Sequence, residues 1–253
     1  MFDNFIYIFF SGVIQGLTEF LPISSSGHLI ILNHFFSKNT NNLDFEIILH
    51  FGTVFSIIFY YKKDLLNLLK QLFSTQEKKA IYLIILGCIP IGLVGLLTKD
   101  FIIEHLNDIS ILPYTFMLTS LCLFMTRYNY KSKELTFNIV LIMSLFQILA
   151  LLPGISRSGI TISILLMLGI NIKEAVKFSF LMAIPLILGA TFVGIDFNDY
   201  NYSSIKYMVY GTFIAFLFGW VAIYLTNYFL SNSKYWIFSI YCFLISIIIY
   251  FIV

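Results

Sequence analysis

The sequence predicts an all-α, polytopic membrane protein with six transmembrane helices and two re-entrant helical hairpins in an inverted-topology repeat. Three observations predict this fold. The 253 residues are 59% hydrophobic and only 11% charged, a composition that excludes an ordinary soluble domain. Six apolar runs have the length that crosses a bilayer. A polar motif also occurs twice, at an offset of 132 residues.

Each of the six apolar runs is close to the roughly 20 residues that span the hydrocarbon core of a bilayer. They lie at about 45–61, 80–98, 110–126, 178–195, 205–226 and 235–253. Two further apolar segments, about 2–36 and 135–170, are interrupted near their middles by Pro22 and Pro153. Because proline cannot continue a helix without losing a hydrogen bond, each segment is expected to form two short helices that meet in a polar loop.

The basic residues predict which side of the membrane the connecting segments face. Eleven of the fifteen lie in four segments, and cytoplasmic segments carry the excess of Lys and Arg. These segments are 62–79, 127–134, 171–177 and 227–235. They are therefore predicted to be cytoplasmic, with both termini outside and an interfacial amphipathic helix over Asp64 to Phe73. The four segments can lie on one side of the membrane only if each interrupted segment enters and leaves on the same side. The first would enter from outside and the second from the cytoplasm.

A single integral membrane domain is predicted over 1–253, with repeat halves of about 1–130 and 131–253. Inverted halves that each contribute a broken hairpin should bring the hairpin tips together near the midplane, where irregular backbone is tolerated if it lines a cavity. The pocket between the tips is expected to open toward the outer face. No basic stripe or aromatic platform indicates a nucleic-acid partner.

The repeated motif contains Glu19 and Arg157, the two charged residues that lie deep in apolar sequence. Among the polar residues and glycines, four positions are identical between the copies. They are Gln15 and Gln147, Ser24 and Ser156, Ser26 and Ser158, and Gly27 and Gly159. The copies differ at Glu19, Ser25 and His28 of the first, and Ser25 is replaced by Arg157 in the second. One half would thus carry acid-base groups and the other an anion clamp, and Glu19 and Arg157 are expected to share one site.

The first copy offers a carboxylate, a serine cradle and a histidine. Gln15 and Glu19 share a helix face, so the carboxylate can bind a divalent cation or act as a base; the alternative is a polar contact between helices. Ser24, Ser25 and Ser26 precede or begin a helix, where hydroxyls and amides suit phosphate oxygens, although a serine there can simply cap the helix. His28 has the chemistry of a nucleophile or a general acid-base.

The second motif copy contributes a positively charged side chain. Arg157 presents a planar fork of donors for a phosphate, with Ser156, Ser158 and Thr161 beside it as further phosphate ligands. The alternative is a buried ion pair with Glu19 that joins the two halves. His50 and Thr53, in the first full span, are interpreted as a hydrogen-bonded contact between helices, and support for the site from outside it is the alternative.

The motifs Gln15-x-x-x-Glu19 with Pro22-Ile-Ser-Ser-Ser-Gly-His28, and Pro153-Gly-Ile-Ser-Arg157-Ser-Gly-Ile-Thr161, resemble those of the undecaprenyl-diphosphatase family of bacterial membrane proteins, associated with bacitracin resistance. The resemblance implies hydrolysis of undecaprenyl diphosphate at the bacterial cytoplasmic (inner) membrane, with a divalent cation, Mg²⁺ or Ca²⁺. The family takes Glu or Gln at the first position, so with Gln15 here Glu19 would carry the acid role alone and hold the metal.

The expected mechanism has Arg157 and its neighbouring amides on the terminal phosphate, with Glu19 holding the cation. Ser25, His28 or a water that one of them activates would attack phosphorus; Ser25 is favoured, with His28 as its proton partner. The polyprenyl chain would lie along apolar helix faces in the membrane. A transporter or flippase for an anionic lipid is the alternative, because inverted repeats with broken helices are typical of transporters. The sequence does not predict the oligomeric state.

Overall fold

The computed structural model describes residues 2–36, 43–72, 78–105, 108–127, 133–194, 202–231 and 234–253. All regular structure in these residues is helical, apart from one isolated parallel bridge between Lys133 and Ile170. The α-helices are α1 Phe2–Phe20, α2 Ser25–Phe35, α3 Leu43–Tyr60, α4 Lys62–Leu72, α5 Lys79–His105, α6 Leu112–Met125, α7 Phe137–Gln147, α8 Arg157–Met167, α9 Ile172–Gly194, α10 Tyr202–Ser231 and α11 Ile237–Ile252. The all-α prediction is confirmed.

Several helices have the length and composition of membrane spans. In the described residues, α5, α9 and α10 each contain a stretch long and apolar enough to cross a bilayer. The pair α3 and α4, bent by 84°, would add a fourth span if the two helices cross as one. The other apolar helices are shorter, with stretches of 10–17 residues. These lengths agree with an integral membrane protein, whereas six crossings and two re-entrant hairpins stay a prediction.

Both motif segments are interrupted where the sequence predicts. The gap between α1 and α2 contains Pro22, and the gap between α7 and α8 contains Pro153. A proline in these positions ends the preceding helix because it has no N–H and its ring clashes with the turn before it. The interruptions leave two short helices, α2 and α8, whose first turns carry the polar motif residues.

The two short helices are capped by the same type of side-chain hydrogen bond. The Ser24 hydroxyl accepts a hydrogen bond from the Gly27 amide at 3.3 Å, and the Ser156 hydroxyl accepts one from the Gly159 amide at 3.0 Å. In each copy the serine two positions further on lies close to the cap hydroxyl, at 3.4 Å in the first and 3.3 Å in the second. The sequence repeat is therefore also a repeat of the capping interaction, although the backbone differs, since Ser24 has a φ of 68° and Ser156 is extended with a φ of −76°.

The helices of the two predicted halves interleave. The closest pairs place α1 along α10, α3 along α9 and α10, and α6 along α11. Glycine permits the α1–α10 approach, since a Cβ atom added at Gly16 would lie 2.6 Å from the Ala215 carbonyl oxygen. Close helix contact through small residues is the usual way for membrane helices to pack. The broken segments of both halves are thereby packed within one bundle, α1 against α3 and α10 and α8 against α6 and α9.

Contacts join the four basic segments that the sequence assigns to the cytoplasm, either directly or through the neighbouring residue of the chain. The Asp64–Lys177 ion pair joins 62–79 to 171–177 directly. The Lys133–Ile170 bridge reaches the residue before 171–177, and the Arg127 guanidinium lies 5.2 Å from the centroid of the ring of Trp236, the residue after 227–235. These segments consequently lie at one end of the bundle. Within them, residues 73–77, 128–132 and 232–233 are outside the described part of the chain.

Candidate active site

Glu19 and Arg157 meet where the two broken segments join. Glu19 lies at the end of α1 and Arg157 is the first residue of α8. Arg157 Nη2 donates a hydrogen bond to Glu19 Oε1 at 2.7 Å, across 138 residues of sequence. Both side chains are largely buried, so each charge needs the other to offset the cost of leaving water. The expected convergence of the two motif copies is observed.

Residues of α8 and α9 orient the Arg157 guanidinium through its other nitrogen, Nη1. Arg157 Nη1 donates to the carbonyl of Ser179 at 3.2 Å. The Ser179 hydroxyl lies 2.6 Å from the Thr161 hydroxyl, which donates to the Arg157 carbonyl at 2.9 Å. Thr161 therefore supports Arg157 from within α8. A guanidinium carries five N–H donors, so donors beyond the two used in these contacts can bind an anion.

The second carboxylate oxygen of Glu19 accepts hydrogen bonds from polar groups of the first motif copy. Glu19 Oε2 accepts a hydrogen bond from Gln15 Nε2 at 3.0 Å and from the Ser25 hydroxyl at 2.8 Å. Gln15 is fully buried and lies one helical turn before Glu19. Ser25 opens α2, and its hydroxyl proton points at a carboxylate. This pair has the geometry of a nucleophile next to a general base.

His28 is held by other partners. Its Nδ1 donates to the Ser24 carbonyl at 2.6 Å, and its Nε2 is 2.7 Å from the Tyr241 hydroxyl. Among the hydrogen bonds of the described residues, none joins His28 to Ser25 or Glu19. The structure thus brings Ser25 together with Glu19 and holds His28 in a separate pair, while the chemical role of His28 stays a prediction.

The remaining motif serines define the backbone around the ion pair. Ser24 has a positive φ of 68°, which a residue other than glycine adopts rarely and mostly at functional sites. The Ser158 hydroxyl lies 3.4 Å from the Glu19 carbonyl oxygen, and the Ser158 carbonyl accepts a bond from the Tyr235 hydroxyl at 3.3 Å. Ser158 therefore ties α8 to the end of α1, whereas Ser26 is half-buried beside the cap.

His50 contacts the site directly, which agrees with the less favoured of the two sequence interpretations. Its Nε2 lies 3.4 Å from Glu19 Oε2, while its Nδ1 donates to the Glu46 carbonyl at 2.8 Å. The Thr53 hydroxyl donates to the His50 carbonyl at 2.6 Å, a bond within α3 rather than the expected contact between helices. The signal available in the sequence was a histidine within an apolar span. The direction in which the His50 side chain points depends on how α3 packs against α1. Ser179 and Tyr241 carried no comparable signal.

The oxygen atoms beside Glu19 fit a hard divalent cation. Gln15 Oε1 is buried and has no hydrogen-bond partner among the described residues, although buried polar atoms are normally paired. The amide nitrogen of Gln15 faces Glu19, so its oxygen is a further donor in the same group of side chains as the Glu19 carboxylate and the Ser25 hydroxyl, and oxygen donors are the type that Mg²⁺ and Ca²⁺ prefer. The described residues contain no group of three or more His, Cys, Asp or Glu side chains that could hold a metal, so phosphate oxygens would have to complete the coordination.

Comparison with known proteins gives one consistent result. The family described as "Bacitracin resistance protein BacA" matches residues 8–248. The undecaprenyl-diphosphatase of Thermosipho africanus is 38% identical over 247 residues, covering 95% of this chain and 97% of that protein. The undecaprenyl-diphosphatase of Halothermothrix orenii is 34% identical over 251 residues, covering 96% and 95%. The one from Pelagibacter ubique is 34% identical over 260 residues, covering 100% and 99%. With nearly the whole chain matched, this integral membrane protein belongs to the bacitracin resistance protein BacA family.

Proposed function

We propose that this chain hydrolyses undecaprenyl diphosphate to undecaprenyl phosphate and inorganic phosphate, and that it thereby recycles the lipid carrier of cell-wall synthesis and confers bacitracin resistance. The names of the relatives support the substrate and the reaction. The observation that carries the proposal for this chain is the Ser25 hydroxyl donating to Glu19 while Glu19 pairs with Arg157. A nucleophile, a base and an anion-binding cation are then adjacent in a buried site.

Ser25 is the proposed nucleophile. Its Oγ attacks the terminal phosphorus, the bond from that phosphorus to the bridging oxygen breaks, and undecaprenyl phosphate leaves. The hydroxyl proton passes to Glu19 Oε2, which is 2.8 Å away. Water then attacks the phosphoserine, the Oγ–P bond breaks, and Glu19 returns its proton to Oγ. His28 takes up the proton that water loses and passes it to the inorganic phosphate, which is released with Ser25, Glu19 and His28 in their starting states.

Arg157 is the proposed anion clamp. The terminal phosphate would bind the guanidinium N–H groups that Glu19 and Ser179 do not use, as well as amides at the start of α8. Charge that accumulates on the phosphoryl oxygens in the transition state would then face a fixed cation. Ser24, Ser26, Ser156 and Ser158 would complete the phosphate cradle.

The proposal includes a divalent cation, Mg²⁺ or Ca²⁺, held by Glu19 with Gln15 Oε1 and the Ser25 hydroxyl. When bound, it would neutralise negative charge on the diphosphate oxygens. The unpaired Gln15 Oε1 supports this assignment, because a cation would supply the partner that the described residues do not. Glu19 provides the one carboxylate of the set, so Gln15 takes the part of a neutral ligand.

The proposed topology is six transmembrane helices and two re-entrant hairpins in the bacterial inner membrane, with the site open to the outer side. The contacts that join the four basic segments at one end of the bundle support it, since a common cytoplasmic face requires them to lie together. The matched interruptions in both halves support the inverted repeat.

Phosphate release from a prenyl diphosphate by purified protein tests the proposed function. The parental protein and an exposed-carboxylate control, Glu134→Gln, should release phosphate at equal rates, whereas Glu19→Gln should be slowed by a hundredfold or more, since both charge pairing and proton transfer are lost. If the parental protein released no phosphate but transferred the lipid across vesicle bilayers, the transporter alternative would be favoured. The interleaved, broken helices are compatible with that function as well.

A further inference from the structure

The His28 ring is fixed on three sides. Nδ1 donates to the Ser24 carbonyl at 2.6 Å, and Nε2 lies 2.7 Å from the hydroxyl of Tyr241. The Tyr241 ring also stacks on the imidazole, with centroids 5.7 Å apart and an angle of 10° between the planes. Phe116 meets the same imidazole edge to face at 5.3 Å. Such a ring has little freedom to rotate.

The two hydrogen bonds also determine the tautomer. A carbonyl oxygen can only accept, so Nδ1 carries a hydrogen. In the neutral ring Nε2 is then an acceptor, and the Tyr241 hydroxyl is its donor. Because a phenol can donate or accept, Tyr241 can remain hydrogen-bonded to Nε2 after this nitrogen has gained a proton. Such a partner sets which nitrogen of a histidine is available for chemistry.

The position of Tyr241 is set by the docking of α11. Ser120 of α6 donates to the Ser239 carbonyl at 2.8 Å, and Ser246 donates to the Pro113 carbonyl at 2.6 Å. These bonds lie before and after Tyr241 and fix α11 against α6 in register. Tyr241 itself is 40% exposed, so apolar burial alone does not account for its orientation toward His28.

We propose that Tyr241 is a positioning residue for the hydrolysis, acting through His28 by holding its ring orientation and its Nε2 tautomer. The last helix, outside both motif copies, would thus complete the site. The inference rests on the proposed function for its kinetic consequence. Its structural content, a hydroxyl that fixes the state of one imidazole nitrogen, can be measured without turnover.

A kinetic cycle tests the coupling between the two residues. Tyr241→Phe keeps the stacked ring and removes only the hydroxyl, and it should lower kcat by about tenfold with little change in KM, the size of effect that outer partners of functional groups show. In a His28→Ala background the same substitution should cost no more than about twofold, since residues that act through one another are not additive. Tyr250→Phe, on the same helix and 61% exposed, is the matched control and should leave kcat unchanged.

A spectroscopic measurement separates the inference from the proposed function. The chain contains four histidines, so ¹⁵N-histidine labelling with a His28→Gln reference assigns the His28 ring signals. Tyr241→Phe should shift the His28 Nε2 resonance, and Tyr250→Phe should not. An unmoved resonance would overturn the inference even if the protein is an active phosphatase. An equal loss of kcat in both backgrounds would overturn it as well, whereas a shifted resonance in a protein that releases no phosphate would leave the contact established and the proposed function in error.

Discussion

At the level of single residues, the Arg157 guanidinium makes two hydrogen bonds in fixed directions, to Glu19 and to the Ser179 carbonyl. Arg157→Lys keeps the charge but replaces a planar fork with a single ammonium. We expect a fall in kcat/KM of roughly a hundredfold or more, the cost of losing one donor to a developing oxyanion. Phosphate-release kinetics on the purified variant measure it, and a near-parental rate would remove Arg157 from the role of anion clamp.

Single substitutions can distinguish the role of Ser25 from that of His28. Ser25→Ala should reduce kcat to the background level because no nucleophile remains beside Glu19, while His28→Ala should retain slow turnover. Ser163→Ala is the matched control: Ser163 is buried in α8 and its hydroxyl has no hydrogen-bond partner in the described residues, so its loss should cost nothing in rate. Turnover that survives in Ser25→Ala but disappears in His28→Ala would transfer the nucleophile to His28.

His50 gives a prediction about the geometry of Glu19. Its Nε2 lies 3.4 Å from the Glu19 carboxylate on the side opposite the Arg157 contact. His50→Phe removes this contact while filling the space, and we expect a loss in kcat of about tenfold, the size seen for outer partners of functional groups. His50→Gln places a polar amide near the carboxylate and should recover most of the rate. Equal activity of the two variants would show that bulk, rather than hydrogen bonding, matters at this position.

At the level of helices, the sequence predicted the interruptions and missed the partners. Proline between two apolar stretches is a local signal, so the gaps at Pro22 and Pro153 could be predicted from a few neighbouring residues. The contacts of Glu19 with His50 and of His28 with Tyr241 depend on the packing of α3 and α11. No pattern within either helix specifies that packing, because both are apolar on most faces.

The α1–α10 contact makes a stability prediction. Gly16→Ala places a Cβ 2.6 Å from the Ala215 carbonyl oxygen, a backbone atom that cannot move aside without separating the helices. We expect destabilisation of about 1–3 kcal/mol, the usual cost of overpacking. Gly92→Ala is the matched control, since a Cβ there meets nothing within 4 Å, and it should be neutral or stabilising by up to ~1 kcal/mol through helix propensity. Thermal unfolding in detergent compares the two, and equal midpoints would mean that α1 and α10 are not closely packed.

At the level of the whole molecule, the basic residues predicted one cytoplasmic face, and the structure joins those segments at one end of the bundle through contacts such as Asp64–Lys177. Charge counts could reach this result because orientation in a membrane depends on the distribution of Lys and Arg. The interleaving of the halves could not be predicted in the same way, since the repeat is recognisable only in its two motifs and gives no pairing for the remaining helices.

This arrangement makes a final prediction about orientation. In a background without Cys88, Cys122 and Cys242, a cysteine at Lys70 in α4 should resist an impermeant thiol reagent in intact cells if the basic end faces the cytoplasm, as proposed. A cysteine at Ser110, exposed between α5 and α6 at the opposite end of α5 from α4, is the matched position and should react. Both should react once the membrane is permeabilised, which shows that each thiol is accessible. The reverse pattern in intact cells would place the basic end outside, and the Glu19–Arg157 site would then have to receive its diphosphate from the cytoplasmic leaflet.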